Sequence, residues 1–188
     1  GYVGRAPEGS ARRATNSAAL FEQGNVLFTQ TKMLLPTYDV FDESRNFQPA
    51  EHQGVTEFRG ARIALTICED AWNDKQFWER PRYQSDPVEA LVAQGVDLVI
   101  TINGSPYDMA KRAVRREMFS AMAQRHGRPH VYVNMVGGND QLVFDGSSFA
   151  TDASGKVVAA APSFAEDLVL FDTDTGTGEM RESHLDET

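Results

Sequence analysis

The sequence predicts a layered α/β domain in which helices cover a mixed sheet. Three observations lead there. Two β-rich, mostly apolar runs, residues 62–67 and 96–103, alternate with helical segments. Short strand-like runs separated by tight turns fill residues 130–171, and a hairpin pattern stands near the start.

Residues 16–20 and 26–30 are short apolar-rich runs separated by Glu22-Gln23-Gly24-Asn25, which is turn chemistry for a hairpin. Residues 36–49 are polar, irregular and bounded by prolines, a pattern that predicts no helix. Arg62-Ile63-Ala64-Leu65-Thr66-Ile67 reads as a buried central strand ending at Cys68. A loop or short helix carrying Trp72, Phe77 and Trp78 comes next. Asp86-Pro87 opens a helix through Ala93, with Pro87 suited to the first turn and Gly95 closing it. Residues 96–103 form the second apolar strand.

Asp108 is placed as the cap of a longer helix, whose Ala110, Val114, Met118 and Met122 recur at spacing four and which Gly127 and Pro129 end. Residues 130–136, 141–144, 147–151 and 157–161 read as strands, punctuated by Gly137-Gly138, Asp145-Gly146 and the turn at 152–155. Residues 168–171 make a last short strand. The remaining residues are rich in Asp, Thr, Gly and Glu, so residues 1–172 are taken as the domain and 173–188 as a polar tail or linker.

Composition narrows the function. Of 188 residues, 18 are Lys or Arg and 27 are Asp or Glu, a net charge of −9. That balance argues against general binding to nucleic acid or to anionic membranes, both of which need a positive surface. No apolar run is long enough for a membrane-spanning helix, and the first residues do not read as a signal peptide. One cysteine excludes an intramolecular disulfide framework and a Cys-based structural zinc site, and the four scattered histidines supply no metal site. The expectation is a cytoplasmic enzyme or module. The chain opens on Gly rather than Met and is read as a piece of something longer.

Several residues could carry chemistry. Cys68 stands where a buried strand stops and a helical turn begins, where backbone N–H groups can lower a thiol's pKa and cradle an oxyanion. On position alone it reads more readily as a small buried hydrophobe. Lys32 precedes the apolar Met33-Leu34-Leu35-Pro36, and Glu43 sits in an acidic loop; each alone is an ordinary surface residue. Lys111, Arg112, Arg115 and Arg116 are read as the solvated face of the long helix. Asn103-Gly104-Ser105 fits the glycosylation triplet by chance, and there is no Walker loop, GxGxxG or GxSxG.

The stretch Lys32-Met33-Leu34-Leu35-Pro36-Thr37-Tyr38-Asp39-Val40-Phe41-Asp42-Glu43, followed by Thr66-Ile67-Cys68-Glu69-Asp70-Ala71-Trp72, resembles the carbon-nitrogen hydrolase (nitrilase) superfamily. More narrowly it is similar to the glutaminase domain of glutamine-dependent NAD synthetases, as are residues 103–107, 134–140 and 144–148. The resemblance implies a nitrilase-like αββα sandwich with a mixed sheet and its first elements missing. It also implies a Glu-Lys-Cys triad in which Cys68 attacks the side-chain amide of glutamine to give a thioester and ammonia. Lys32 and the backbone N–H of Glu69 would stabilise the tetrahedral intermediate, and Glu43 is the further acid that the family places near the lysine. Tyr38, Trp72 and Ser105 are implied as walls or hydrogen-bond partners of the bound glutamine.

The family's general base Glu lies upstream of the part that resembles residues 1–32, and neither Glu8 nor Glu22 matches its motif. The chain is therefore expected to be a truncated glutaminase, weakly active or inactive. It binds no cofactor itself; ATP belongs to a synthetase domain of the full-length chain, which with glutamine and a second copy completes the expected partners. The alternatives are a stand-alone amidase acting on another small amide, and a non-catalytic assembly module that kept the fold.

Overall fold

The structure is a computed structural model that describes residues 1–174 and 176–182, with only the backbone at 181 and 182; residues 183–188 of the predicted tail lie outside the described residues. Its centre is a six-stranded mixed sheet of order β11-β10-β7-β6-β5-β4. The strands are β4 (Val55–Phe58), β5 (Ala61–Ile67), β6 (Leu98–Asn103), β7 (His130–Asn134), β10 (Phe149–Thr151) and β11 (Val157–Ala160). Strands β5, β6 and β7 run parallel, and the flanking pairs are antiparallel. The predicted alternation of strand and helix is thus the central parallel part; β10 and β11 extend it, whereas β8 (Val136–Asn139) and β9 (Leu142–Asp145) pair with each other as a separate two-stranded sheet.

The two-residue period of β5 decides what covers each face. Ala64 and Thr66 sit in register with Val99 and Thr101 of β6, and that side meets the helices α2 (Pro87–Val92) and α3 (Lys111–His126). Leu91 and Val96 pack on Ala64 and Val99. Met118, Phe119 and Met122 of α3 pack on Tyr132 and Phe149, whose rings stack at 5.1 Å. Ile63, Leu65 and Ile67 point to the opposite face, where a three-stranded antiparallel sheet of β1 (Tyr2–Arg5), β2 (Ala14–Glu22) and β3 (Asn25–Thr31) approaches β5. The β2–β3 pair is the hairpin expected around Gln23-Gly24.

Local chemistry explains the ends of the helices. Asp86 accepts the Glu89 N–H at 3.0 Å with Pro87 in the first turn. Gly127 takes a left-handed conformation, φ +59°, and closes α3 with its own N–H and that of Arg128 returned to the last turn. Gly155, at φ +84°, lets the 152–156 turn touch α3: a Cβ there would stand 2.4 Å from the Ser120 carbonyl oxygen.

Four local expectations need correction. Asp108 is not the cap of α3: the cap position is Ala110, and the Asp108 carboxylate accepts the Ala110 N–H instead. Residues 36–49 contain one helical turn, α1 (Glu43–Asn46), because the Glu43 carbonyl takes the Phe47 N–H. The predicted strand at 168–171 lies later, as β12 (Phe171–Thr173) paired with β13 (Met180–Glu182) inside the stretch read as linker. Met180 is buried against Leu98, Val131, Ala150 and Ala159, so one apolar side chain anchors a polar segment.

The fourth correction concerns charge. Arg115 is not on a solvated face; it is 1% exposed, while Asp145 of β9 (Leu142–Asp145) is fully buried. The buried residues of α3 are Arg115, Met118, Phe119, Met122 and Ala123: the predicted Met118 and Met122 are among them, whereas Val114 is only half-buried and Ala110 is exposed. Arg115 Nη1 donates to Asp145 Oδ1 at 2.7 Å, and Nη2 donates to the carbonyls of Ser105 and Pro106 and to Ser105 Oγ. Burial works against ionisation of Asp145, but hydrogen bonds from Arg115 and Ser147 outweigh it and hold the carboxyl below its ordinary range. A buried pair of this kind is costly to break from one side. Arg115→Met should lower stability by about 3–5 kcal/mol, and Arg115→Met with Asp145→Leu by clearly less, read from urea denaturation. Equal losses would mean that the charge left behind carries no penalty.

Candidate active site

The carboxyl ends of β5, β6 and β7 lie side by side, the place where parallel α/β sheets put their ligands. Cys68 is the first residue past β5 and opens a 3-10 turn, Cys68–Ala71. Its φ is +47°, a left-handed conformation that a non-glycine residue takes only under constraint. The reversal carries the Cys68 side chain off the end of the strand. In the turn beyond it, the leading N–H groups, Glu69's among them, have no partner further back in the helix.

Lys32 is the first residue past β3. Its N–H donates to the Asn16 carbonyl and its own carbonyl accepts the Ala50 N–H, so the backbone is held from both sides. The side chain is 1% exposed, and Nζ lies 2.6 Å from Glu43 Oε1. Asn16 Nδ2 donates to the other oxygen of Glu43 at 3.2 Å. Glu43 reaches this position because α1 starts there, with its N–H on the Pro36 carbonyl. A buried ammonium without a carboxylate would be expelled or neutralised; the pairing is what keeps Lys32 charged inside the protein.

Cys68 stands within the field of that pair. The residue itself is partly exposed, yet burial of the thiol pushes its pKa up to about 11. The Lys32 ammonium pulls it down, and the carboxylates of Glu69, Glu43 and Asp70 push it further up. The structure therefore brings Cys68, Lys32 and Glu43 together, as the sequence implied, and leaves the sulfur a thiol at neutral pH. Of the acids before Lys32, Glu22 is tied to Arg59 on the surface, Oε1 to Nη2 at 2.6 Å.

Glu69 is buried, and the Tyr38 hydroxyl is shared between its two oxygens at 2.8 and 2.9 Å. Burial first, and then the hydrogen bond to Glu69, raises the Tyr38 phenol above its ordinary range; Tyr83 is raised by burial and the same carboxylate. Arg82 lies over the Tyr38 ring, 3.8 Å from its centre. Ser105 is reached through Asn134: its N–H donates to Asn134 Oδ1 at 2.9 Å, and its Oγ accepts from Arg115. Trp72 packs on the helix-side core, its carbonyl accepts the Trp78 indole N–H, and the Lys111 ammonium stands 6.0 Å above its ring.

One functional group escaped the sequence reading. Asp70, 1% exposed, accepts N–H groups from Met33, Leu34 and Ile67 and from the Gln53 amide. Burial raises its carboxyl to about 6 against the pull of these donors and of Lys32. Its place two residues after Cys68 was the available signal, but the partners that give it a role lie far away in sequence.

Because the thiol is held at about 11, alkylation of Cys68 in this chain by iodoacetamide should accelerate about ten-fold per pH unit between pH 7 and 10. A rate that levels off by pH 8.5 would contradict the burial described here.

Known proteins share the sequence and the fold. Residues 1–182 match the profile of the family described as carbon-nitrogen hydrolase. The glutamine-dependent NAD(+) synthetase of Synechocystis sp. is 45% identical over 169 residues, which is 90% of this chain and 30% of that protein. A glutamine-dependent NAD+ synthetase structure from Acinetobacter baumannii, in complex with adenosine diphosphate, superposes with a TM-score of 0.84 at 35% identity, over 98% of this chain and 32% of that one. The chain thus spans about a third of the length of these relatives. A variant of the amidase from Nesterenkonia sp. AN1, carrying the acetamide moiety of fluoroacetamide on its active-site cysteine, superposes with a TM-score of 0.68 at 25% identity, over 85% of this chain and 55% of that one.

Proposed function

Because the chain belongs to the carbon-nitrogen hydrolase family, we propose that it is the glutamine amidohydrolase part of a glutamine-dependent NAD synthetase, releasing ammonia for a synthetase domain. The observation that carries this reading is the buried Lys32–Glu43 ion pair beside Cys68 on its left-handed turn.

The chemistry is set by this arrangement. The Cys68 thiol gives its proton to a base, and the sulfur attacks the side-chain carbonyl carbon of glutamine. The oxygen that gains negative charge is met by the Lys32 ammonium and the Glu69 N–H. The proton passes to the amide nitrogen, the carbon–nitrogen bond breaks, and ammonia leaves a γ-glutamyl thioester on Cys68. Water then attacks the thioester, restores the thiol and releases glutamate. Glu43 is engaged by Lys32 and Asn16, so it holds the ammonium and is not the base. A thiol held at about 11 makes the base indispensable, and no carboxylate of this chain is assigned that role. The reaction needs a reduced thiol, which suits a reducing compartment such as the cytoplasm.

Glu69 supports glutamine over a simple amide. It is a buried carboxylate whose hydrogen bonds, among the described residues, come from the phenols of Tyr38 and Tyr83, which do not balance its charge. The α-ammonium of an amino-acid amide would balance it, with Tyr38 on the same carboxylate. In the synthetase that carries this chain, Cys68→Ala should abolish ammonia release from glutamine, and unchanged release would overturn the assignment of the nucleophile. Glu69→Gln should raise KM for glutamine by about ten- to a hundred-fold while changing acetamide hydrolysis little. An equal loss on both substrates would remove Glu69 from substrate recognition.

A further inference from the structure

Lys32 and Cys68 come from different layers of the protein. Lys32 leaves the three-stranded sheet and Cys68 leaves the six-stranded one, so something must fix the distance between the two strand ends. The Asp70 carboxylate spans that gap. Oδ1 accepts the Met33 N–H at 3.0 Å and the Leu34 N–H at 2.8 Å, the two residues after Lys32. Oδ2 accepts the Ile67 N–H at 3.2 Å, the residue before Cys68, and the Gln53 amide at 2.9 Å. Gln53 Nε2 also donates to the carbonyl of Thr31, the residue before Lys32, at 3.1 Å. The chain is therefore held on both sides of Lys32 and immediately before Cys68 by one carboxylate and one amide.

We infer that Asp70, assisted by Gln53, is a positioning residue whose hydrogen bonds fix the approach of the Lys32 ammonium to the Cys68 thiol. The inference rests on the reading of Cys68 and Lys32 as the reacting pair. A carboxylate that only capped the 3-10 turn would need the Ile67 N–H alone. Here one whole oxygen is turned to the segment after Lys32. The group must also be an acceptor at both oxygens, because four N–H donors converge on it; an amide would turn its own N–H groups toward two of them. Displacements of the order of 1 Å at a reacting centre cost about a hundred-fold in rate, so such a tie has a purpose beyond stability.

The test is a cycle of variants read by the alkylation rate of Cys68 at pH 8.5. Asp70, held near 6, is ionised at that pH. Lys32→Met removes the ammonium that favours the thiolate, so in the parent the rate should fall about ten-fold. In an Asp70→Asn background the ammonium keeps Glu43 but its strand end is no longer tied to that of Cys68, and the same Lys32→Met change should lower the rate less than about three-fold. The charge removed at Asp70 is common to both members of its arm and cancels in the ratio, as does any change in access of the reagent. A role confined to stability would leave the ratio at its parental value, and that result overturns the inference. No fall at all on Lys32→Met in the parent would instead overturn the pairing of Lys32 with Cys68. Circular dichroism and urea midpoints establish that each variant is folded. If Asp70→Asn does not fold, Gln53→Ala carries the same cycle: it removes the tie to Thr31 and one of the four donors, and an undiminished Lys32→Met effect there likewise overturns the inference.

Discussion

A lysine ammonium held almost wholly out of water is the constraint around which this site is built. Lys32 has little solvent of its own, and Glu43, 2.6 Å away, is the group that keeps it charged. That pairing dictates much of the surrounding chain. The single turn of α1 exists at the point where Glu43 must face Lys32, and Asn16 of β2 occupies the remaining carboxylate oxygen. Removing either partner would leave an uncompensated buried charge, so the segment from Lys32 to Glu43 holds its shape as a unit.

The ion pair also sets the electrostatics of the sulfur. One cation and three carboxylates act on Cys68, and burial adds to the carboxylates, so the resting state is a thiol rather than a thiolate. This differs from cysteine enzymes in which an adjacent cation alone activates the nucleophile. In the proposed reaction the ammonium would serve best once negative charge has moved from the sulfur to the substrate oxygen, where it gains an electrostatic partner that the ground state lacks. The left-handed turn at Cys68 and the N–H groups behind it serve the same moment of the reaction.

Much of this was legible in the sequence where the signal is local. The hairpin at Gln23-Gly24, the strand ending at Cys68 and the helix opened by Asp86-Pro87 all rest on residues adjacent in the chain. The joint presence of Lys32, Glu43 and Cys68 was legible only through family resemblance, since nothing in spacing alone brings residues 32 and 68 together. Long-range polar contacts were not legible. Arg115 looked like its solvated neighbours because its partners, Asp145 and the Ser105–Pro106 carbonyls, belong to other elements. Asp70 passed as one more residue of the stretch around Cys68 for the same reason. Met180 was missed because a lone apolar residue in a polar segment has no period to read.

The central claim is that Cys68 becomes acylated by the side-chain carbonyl of glutamine. Its most direct test is to stop the synthetase that carries this chain with acid during turnover of glutamine and to weigh its peptides. The expected result is an added mass equal to glutamic acid less water on the peptide that contains Cys68, lost on treatment with hydroxylamine and absent in Cys68→Ala. Ammonia release without any such adduct, or an adduct that persists in Cys68→Ala, would contradict it.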